Sequence, residues 1–394
     1  MAQPLTGHGA SATAVPAESA APSPRRPSIA PRVVLIAGGG TGGHLMPALA
    51  LAATLREAAP ELEPVLVGAV RGVEARILPT RDFRYHLLPV EPIYRRQWWK
   101  NLRWPLIAGR IINAVEAVYR AERPVAVLGT GGYASGPVVW LARRRGVPSA
   151  VQEQNAYPGL ATRWLARRVD HVYLGIPEAR DLLKPGKGTQ LFDTGNPIVP
   201  PDPARRDAAF RRFGLDGRRR VVLVTGGSQG ALAINRAVAE WIRAGGPNGA
   251  AVIWVTGRGT HAEFAEFHAP PDVQVIDFLD PMADAYAVAD LVVSRAGMIT
   301  VAEISAWGLP SILIPLPTAA ADHQTHNARA MAQAGAAAVL PQSEMEREGL
   351  GPAIGRLLGD GVAAERMAAA ARARGRPEAA RDIVSLLLTL IRPA

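Results

Sequence analysis

The stretch that decides the fold is Val33-Val34-Leu35-Ile36-Ala37-Gly38-Gly39-Gly40-Thr41-Gly42-Gly43-His44, echoed at Val221-Val222-Leu223-Val224-Thr225-Gly226-Gly227-Ser228-Gln229-Gly230. Each is a β-branched run that reads as a strand buried on both faces, followed by a glycine loop and a segment of helical period. Further short runs, at Val125 to Leu128, Val252 to Thr256, Leu291 to Ser294 and Ile312 to Ile314, alternate with Ala-, Leu- and Arg-rich segments. That alternation predicts an α/β protein with two doubly wound, Rossmann-like parallel sheets facing across a cleft. The turn-forming Gly195-Asn196-Pro197, before a polar and proline-rich run, marks the boundary. The expected division is a tail over 1–31, one domain over 32–195 and a second over 196–394. The second closes with the amphipathic helix Ala379 to Ile391, whose packing partner the sequence does not reveal.

Composition narrows the function classes. A chain of 394 residues, 48% apolar and 20% charged, has the balance of a globular protein with more than one core. The absence of cysteine excludes disulfides, thiolate metal sites and a cysteine nucleophile, and leaves a reduced compartment as the simpler expectation. Residues 1–31, rich in Ala, Pro, Ser and Gly, read as a disordered tail, and no stretch is long and apolar enough to span a bilayer. A net charge of +10 favours an anionic partner such as a phosphorylated substrate, an anionic membrane or nucleic acid.

The loops carry the chemistry. Five glycines in the six positions 38–43 let backbone N–H groups converge on a phosphate at a helix N-terminus. Gly38, Gly40 and Gly43 also fit a dinucleotide fingerprint, but Val65 to Ala69 lacks the carboxylate that would bind ribose, and no Gly-Lys-Ser/Thr completes a Walker A loop. His44, at the loop-to-helix junction, has the position of a general base kept neutral by the helix dipole. Gly226 to Gly230 formally fits the hydrolase elbow G-x-S-x-G, with Asp290 and His323 available later in the chain. Ser228 reads alternatively as a hydroxyl donor to a phosphate. Arg295 to Thr300 opens a helix whose N-terminus suits a diphosphate, with Glu303 one turn in, which reads equally as an acceptor of two ribose hydroxyls or as ordinary complementation of the helix dipole. Asp322-His323-Gln324-Thr325-His326-Asn327 reads either as a helix capped by Asp322 or as amides offered to a sugar pocket, and no metal-ligand spacing occurs.

Taken together these motifs resemble the MurG family. The resemblance rests on 38–44, on Gly131-Gly132-Tyr133-Ala134-Ser135-Gly136-Pro137, Glu153-Gln154-Asn155, Gly195-Asn196-Pro197, Gly226 to Ala231, Arg295-Ala296-Gly297 leading to Glu303, and Asp322-His323-Gln324-Thr325. It implies a GT-B fold and an inverting, metal-independent transfer of GlcNAc from UDP-GlcNAc to the 4-hydroxyl of the MurNAc unit of undecaprenyl-pyrophosphoryl-MurNAc-pentapeptide. That converts lipid I to lipid II in peptidoglycan synthesis. The resemblance places the donor at Ser228, Leu279, Met298, Ile299, Thr300, Val301, Ala302, Glu303 and Gln324, with Thr41, Gly42, Gly43 and Asn155 towards the transferred sugar. It places the acceptor at Gly40, Tyr133 and Ser135, and names His44 as first choice of base and Glu153 as second. No cofactor is implied. Two departures stand out. The family usually continues Gly-Asn-Pro with Val-Arg, whose arginine helps bind the nucleotide, whereas this chain has Ile198 and Val199. The contact is either lost or supplied by another residue such as Arg205. Gln152 stands where many relatives have histidine.

Between Pro92 and Val115, Arg95, Arg96, Lys100, Arg103 and Arg110 interleave with Tyr94, Trp98, Trp99 and Trp104 without an acidic residue. Tryptophan prefers the headgroup level, and each basic side chain near an anionic leaflet contributes about 1 kcal/mol. The patch reads as an interfacial membrane surface or, alternatively, as the core and wet faces of one helix. Nucleic acid is not expected, because no recognised binding module accompanies it. The family implies the cytoplasmic face of the bacterial plasma membrane, as a peripheral protein.

Overall fold

A computed structural model describes residues 32–40, 42–91, 104–227, 230–247 and 249–391, with backbone only for 104–106. The tail over 1–31 and the expected membrane residues Arg95, Arg96, Trp98 and Trp99 lie outside the described residues, as does the side chain of Trp104.

The first sheet has seven parallel strands: β1 (Arg32–Ala37), β2 (Leu62–Ala69), β3 (Arg84–Leu88), β4 (Ala126–Gly129), β5 (Ser149–Glu153), β6 (His171–Leu174) and β7 (Gln190–Asp193), in the order β3-β2-β1-β4-β5-β6-β7. The second has six: β8 (Val221–Thr225), β9 (Ala251–Val255), β10 (Val273–Ile276), β11 (Leu291–Ser294), β12 (Ser311–Leu313) and β13 (Ala338–Val339), in the order β10-β9-β8-β11-β12-β13. All pairings are parallel, as in β1 with β4 and β8 with β11. Both decisive runs are the strands at which the order reverses. The loops after them therefore sit at the switch points where open α/β sheets bind ligands.

Continuous burial explains the strand sequences. Val34, Leu35, Ile36 and Ala37 are almost wholly buried, and so are Val221 to Val224. Alternate residues enter opposite core layers: Leu35 joins the layer that holds helix Gly132–Arg144, and Ile36 the layer that holds helix Gly42–Ala58. The helix Ala379–Leu388, grouped from sequence with 196–394, buries Ala380, Ile383, Val384 and Leu387 in that second layer, beside Leu45, Leu51 and Leu55. It covers the first sheet, not the second. An amphipathic helix specifies an apolar stripe but not which lobe supplies its partner.

The chain thus crosses between the lobes twice, at neighbouring places. A Cβ at Gly195 (φ 86°) would collide with Arg376, so the outgoing linker runs against the returning one. Asn196, buried beside it, accepts from Gln152 Nε2 (2.8 Å) and donates to the carbonyl of Gln154 (3.1 Å), pinning the linker to the end of β5.

Candidate active site

The first glycine loop is not an open anion cradle. The N–H of Gly38 donates to the carbonyl of Val67 (3.0 Å), that of Gly39 to the carbonyl of Gly131 (3.4 Å), and that of Gly40 to the carboxyl of Glu74. The expectation that these amides hold a phosphate is therefore corrected, because the chain's own groups already take them. Donors for a ligand must come from the first turn of helix Gly42–Ala58, whose N–H groups have no intrahelical partner. Gly42 there is half-buried and Gly43 exposed. Thr41 lies outside the described residues.

Around this loop the acceptor-side residues are drawn together. The ring of Tyr133 packs so closely on Gly40 (φ 97°) that a Cβ there would strike it. The imidazole of His44 lies against Gly131 and Gly132, where a Cβ would again collide. Burial, and secondarily the charge of His323, push its pKa down to about 4. His44 is therefore neutral at pH 7. His323 opens helix His323–Gln333 of the second lobe, so the pair spans the cleft.

Two expected residues are engaged otherwise. Ser135 is buried, and its hydroxyl donates to the carbonyl of Gly132 (3.1 Å) within its own helix turn. Glu153, also buried, accepts from the N–H of Asn155 (3.0 Å) and of Gly159 (2.9 Å) and braces the loop after β5. Both of its oxygens are thus engaged by backbone N–H groups of its own loop.

In the second lobe, helix Met298–Trp307 begins at Gly297 without a side-chain cap, leaving its first-turn N–H groups to a ligand. Arg295 does not point to a ligand: it donates to the carbonyls of Ile314 (3.2 Å) and Pro315 (3.2 Å) and to Gln342 (2.8 Å), bracing the neighbouring loop. The side-chain oxygen of Gln324 accepts from the N–H of Leu316 (3.0 Å), which leaves its Nε2 as donor. Ile299, Thr300 and Ala302 are half-buried. Met298 and Val301 are buried in an apolar cluster with Ala156 and Ile176 of the first lobe, and so serve the seam. Burial raises the Glu303 pKa to about 7, opposed by a hydrogen bond from the hydroxyl of Tyr286 (3.0 Å). Tyr286 is itself buried in one cluster with Leu279. Ser228 lies outside the described residues.

Sequence reasoning missed the residues that join the halves. Asn327, fully buried, accepts from the N–H of Ala156 (2.9 Å) and donates to Asn155 Oδ1 (3.1 Å) and the carbonyl of Ala296 (3.1 Å). It thus ties the loop after β5 to the Arg-Ala-Gly loop, and holds Asn155 at the seam. Beside it His326 stacks on Tyr157 at 4.9 Å, and Arg374 pairs with Glu178 at 2.8 Å. Only the polar run 322–327 had hinted at this role. Tyr286 gave no signal, because a tyrosine in an apolar stretch reads as core.

Two alternatives lose their footing. Asp290 accepts from the N–H of Val221 (2.8 Å) and pairs with Arg220, at the starts of β11 and β8. Asp290 thus stands at the opposite end of the five-residue strand β8 from the Gly226 loop, about 15 Å away along the strand, which takes it out of the loop's surroundings. Arg205, suggested in place of the missing family arginine, pairs with Asp284 (3.0 Å), as does Arg212, while Val199 is 76% exposed. Among the described residues no three His, Asp or Glu side chains converge as metal ligands, and no helix is long and apolar enough to cross a membrane.

The comparisons agree with this geometry. Residues 34–174 match the glycosyltransferase family 28 N-terminal domain, and residues 221–383 the glycosyltransferase family 28 C-terminal domain. The chain is 38% identical to the UDP-N-acetylglucosamine--N-acetylmuramyl-(pentapeptide) pyrophosphoryl-undecaprenol N-acetylglucosamine transferase of Moorella thermoacetica, over 91% of this chain and 99% of that one. It is equally 38% identical to the protein of the same name from Chlorobaculum parvum, with the same coverage. Among solved structures it resembles Acinetobacter baumannii MurG, with a TM-score of 0.70 and 25% identity over 91% of this chain and 99% of that one. A UDP co-structure of S. aureus MnaA shares the fold, with a TM-score of 0.65 at 16% identity over 92% and 99% of the two chains. Paired parallel sheets, switch-point glycine loops and near-complete coverage by these relatives have one reading: a GT-B enzyme, and the chain belongs to the MurG family of glycosyltransferases.

Proposed function

We propose that this protein transfers GlcNAc from UDP-GlcNAc to the MurNAc 4-hydroxyl of undecaprenyl-pyrophosphoryl-MurNAc-pentapeptide, turning lipid I into lipid II. The observation that carries the proposal is the imidazole of His44, packed against Gly131 and Gly132 at the mouth of the first lobe, kept neutral by burial and lying within electrostatic reach of His323 at the start of a second-lobe helix. In a single displacement the acceptor oxygen bonds the anomeric carbon from one face as the bond to UDP breaks on the other. His44 takes the hydroxyl proton and UDP leaves with the electron pair. Charge growing on the diphosphate is met by the first-turn N–H groups of helix Met298–Trp307, supported by the Nε2 of Gln324. Glu303, held by Tyr286, accepts the ribose hydroxyls. The seam residues around Asn327 set the spacing between the halves, and so the approach of the two substrates.

The acceptor's lipid implies a membrane surface on the first lobe. Helices Trp104–Glu122, Gly132–Arg144 and Leu160–Leu165 contribute their inner faces to one core layer. On their outer side Leu160 is 58% and Trp164 44% exposed, and Arg168 lies over the ring of Trp164 (4.4 Å). Exposed apolar and aromatic groups flanked by arginine suit an anionic leaflet on the cytoplasmic face. The test is UDP release by the purified chain, with lipid I supplied in anionic vesicles. UDP appearing only with acceptor, and undiminished by chelator, is expected. Release without acceptor, or dependence on added magnesium, would refute the mechanism.

A further inference from the structure

Glu74 has no part in the chemistry above, yet it is the most completely buried carboxyl group described, at 0% exposure. It opens the short helix Glu74–Ile77 after β2, and its side chain turns back beneath the first glycine loop. Three glycines make room for it, since a Cβ at Gly39, Gly68 or Gly72 would collide with it. One oxygen accepts the N–H of Gly40, while the other is buried with no hydrogen-bond partner. Burial raises its pKa above the ordinary carboxylate range, against opposing contacts with the backbone of Glu74 itself, Gly40 and Ala69. A buried, half-satisfied acid costs stability, so its presence calls for a compensating role.

What it holds indicates that role. Gly40 sits at φ 97° against the ring of Tyr133, and Gly39 bonds Gly131, which with Gly132 walls the imidazole of His44. The loop therefore joins Glu74 on its inner side to Tyr133 and His44 on its outer side. We infer that Glu74 is a positioning residue of the acceptor half-site, its carboxyl fixing the 38–40 loop so that Tyr133 and His44 keep their places beside the incoming sugar-lipid. The inference rests on the first lobe being the acceptor side, and it predicts that reach matters more than charge.

The test uses the full chain with Glu74→Gln, Glu74→Asp and Gly72→Ala. Glutamine keeps length and an acceptor oxygen, aspartate keeps the acid but falls one methylene short, and alanine at 72 displaces the carboxyl without altering the loop. Glu74→Gln is expected within about twofold of the parent, while Glu74→Asp and Gly72→Ala lose at least about tenfold in kcat/KM for lipid I through misplaced reacting groups. Affinity for UDP-GlcNAc in calorimetry should not change, and amide exchange over 38–44 should quicken in the two disruptive variants. Full acceptor turnover in both of them would overturn the inference, as would equal damage from glutamine or a matching loss of donor affinity. Should the parent itself fail to transfer to lipid I, the proposed function falls, and the exchange measurement still decides. Unchanged protection over 38–44 in Glu74→Asp and Gly72→Ala would show that the carboxyl does not set the loop.

Discussion

The two lobes carry the same strand-and-glycine-loop device with opposite interiors. In the first, the amides of Gly38 to Gly40 are taken by Val67, Gly131 and the carboxyl of Glu74. In the second, the amide of Gly227 is taken by the hydroxyl of Thr225 (3.2 Å) and that of Gly230 by the carbonyl of Gly227 (2.9 Å), and a Cβ at Gly226 or Gly230 would strike Gly230, Ala231, Thr256 and Gly257 but no charged side chain. One loop is thus braced from inside by a buried acid side chain, and the other, in its described residues, by its own backbone and a strand hydroxyl. The difference shows why a glycine count alone does not locate a diphosphate. What occupies the underside of the loop decides, and that residue comes from a later turn of the chain. It also gives the halves distinct electrostatics: a base pushed down to about 4 in the first lobe, and an acid pushed up to about 7 in the second.

That contrast can be broken from either side. Replacing His44 with alanine should lower kcat by about 10²–10⁴, the range of a lost general base, with UDP-GlcNAc affinity unchanged in calorimetry. Comparable turnover would remove His44 from the reaction. Because its pKa lies near 4, His44 should not set an acid limb between pH 6 and 8.

Glu303 should set that limb instead. Below its pKa of about 7 the carboxyl is protonated, and a donor that needs the carboxylate must displace that proton. Donor affinity should therefore rise with pH through 7 and level off above, falling at most about tenfold per unit on the acid side. Glu303→Ala should weaken donor binding by about tenfold or more at pH 8 and abolish this pH dependence, the loss of a hydrogen bond to a charged group being about 1.5–3 kcal/mol. A flat profile in the parent would separate Glu303 from the ribose.

The smallest effect belongs to the linker. Val199→Arg, which restores the family residue at an exposed position, should tighten donor binding by no more than about fivefold, as suits a solvent-screened charge. No gain, measured by competition with UDP, would mean that this donor site has no use for that arginine.

Much of the architecture was legible because parallel strands buried on both faces must be continuous apolar runs, and Val33 to Ala37 and Val221 to Thr225 are such runs. The donor-side helix was legible for a similar local reason: a loop, an uncapped N-terminus and Glu303 one turn in all lie within nine residues of sequence, Arg295 to Glu303. Long-range pairings were hidden. Nothing local tells that Ser135 turns inward, that Glu153 serves the backbone of its own loop, or that Glu74 meets Gly40. Each is fixed by neighbours supplied by tertiary packing. Asn327 lies between the two cases, since its amide was visible in a polar run while its partners across the seam were not.

The return of helix Ala379–Leu388 to the first sheet has a consequence for biosynthesis. Leu45, Leu51 and Leu55 emerge from the ribosome early, but Ile383, Val384 and Leu387, which cover them, follow only after the whole second lobe has been translated. Until then the nascent amino-terminal half shows a greasy face to the cell, a surface that chaperones would bind and that a premature stop before residue 379 would leave permanently bare.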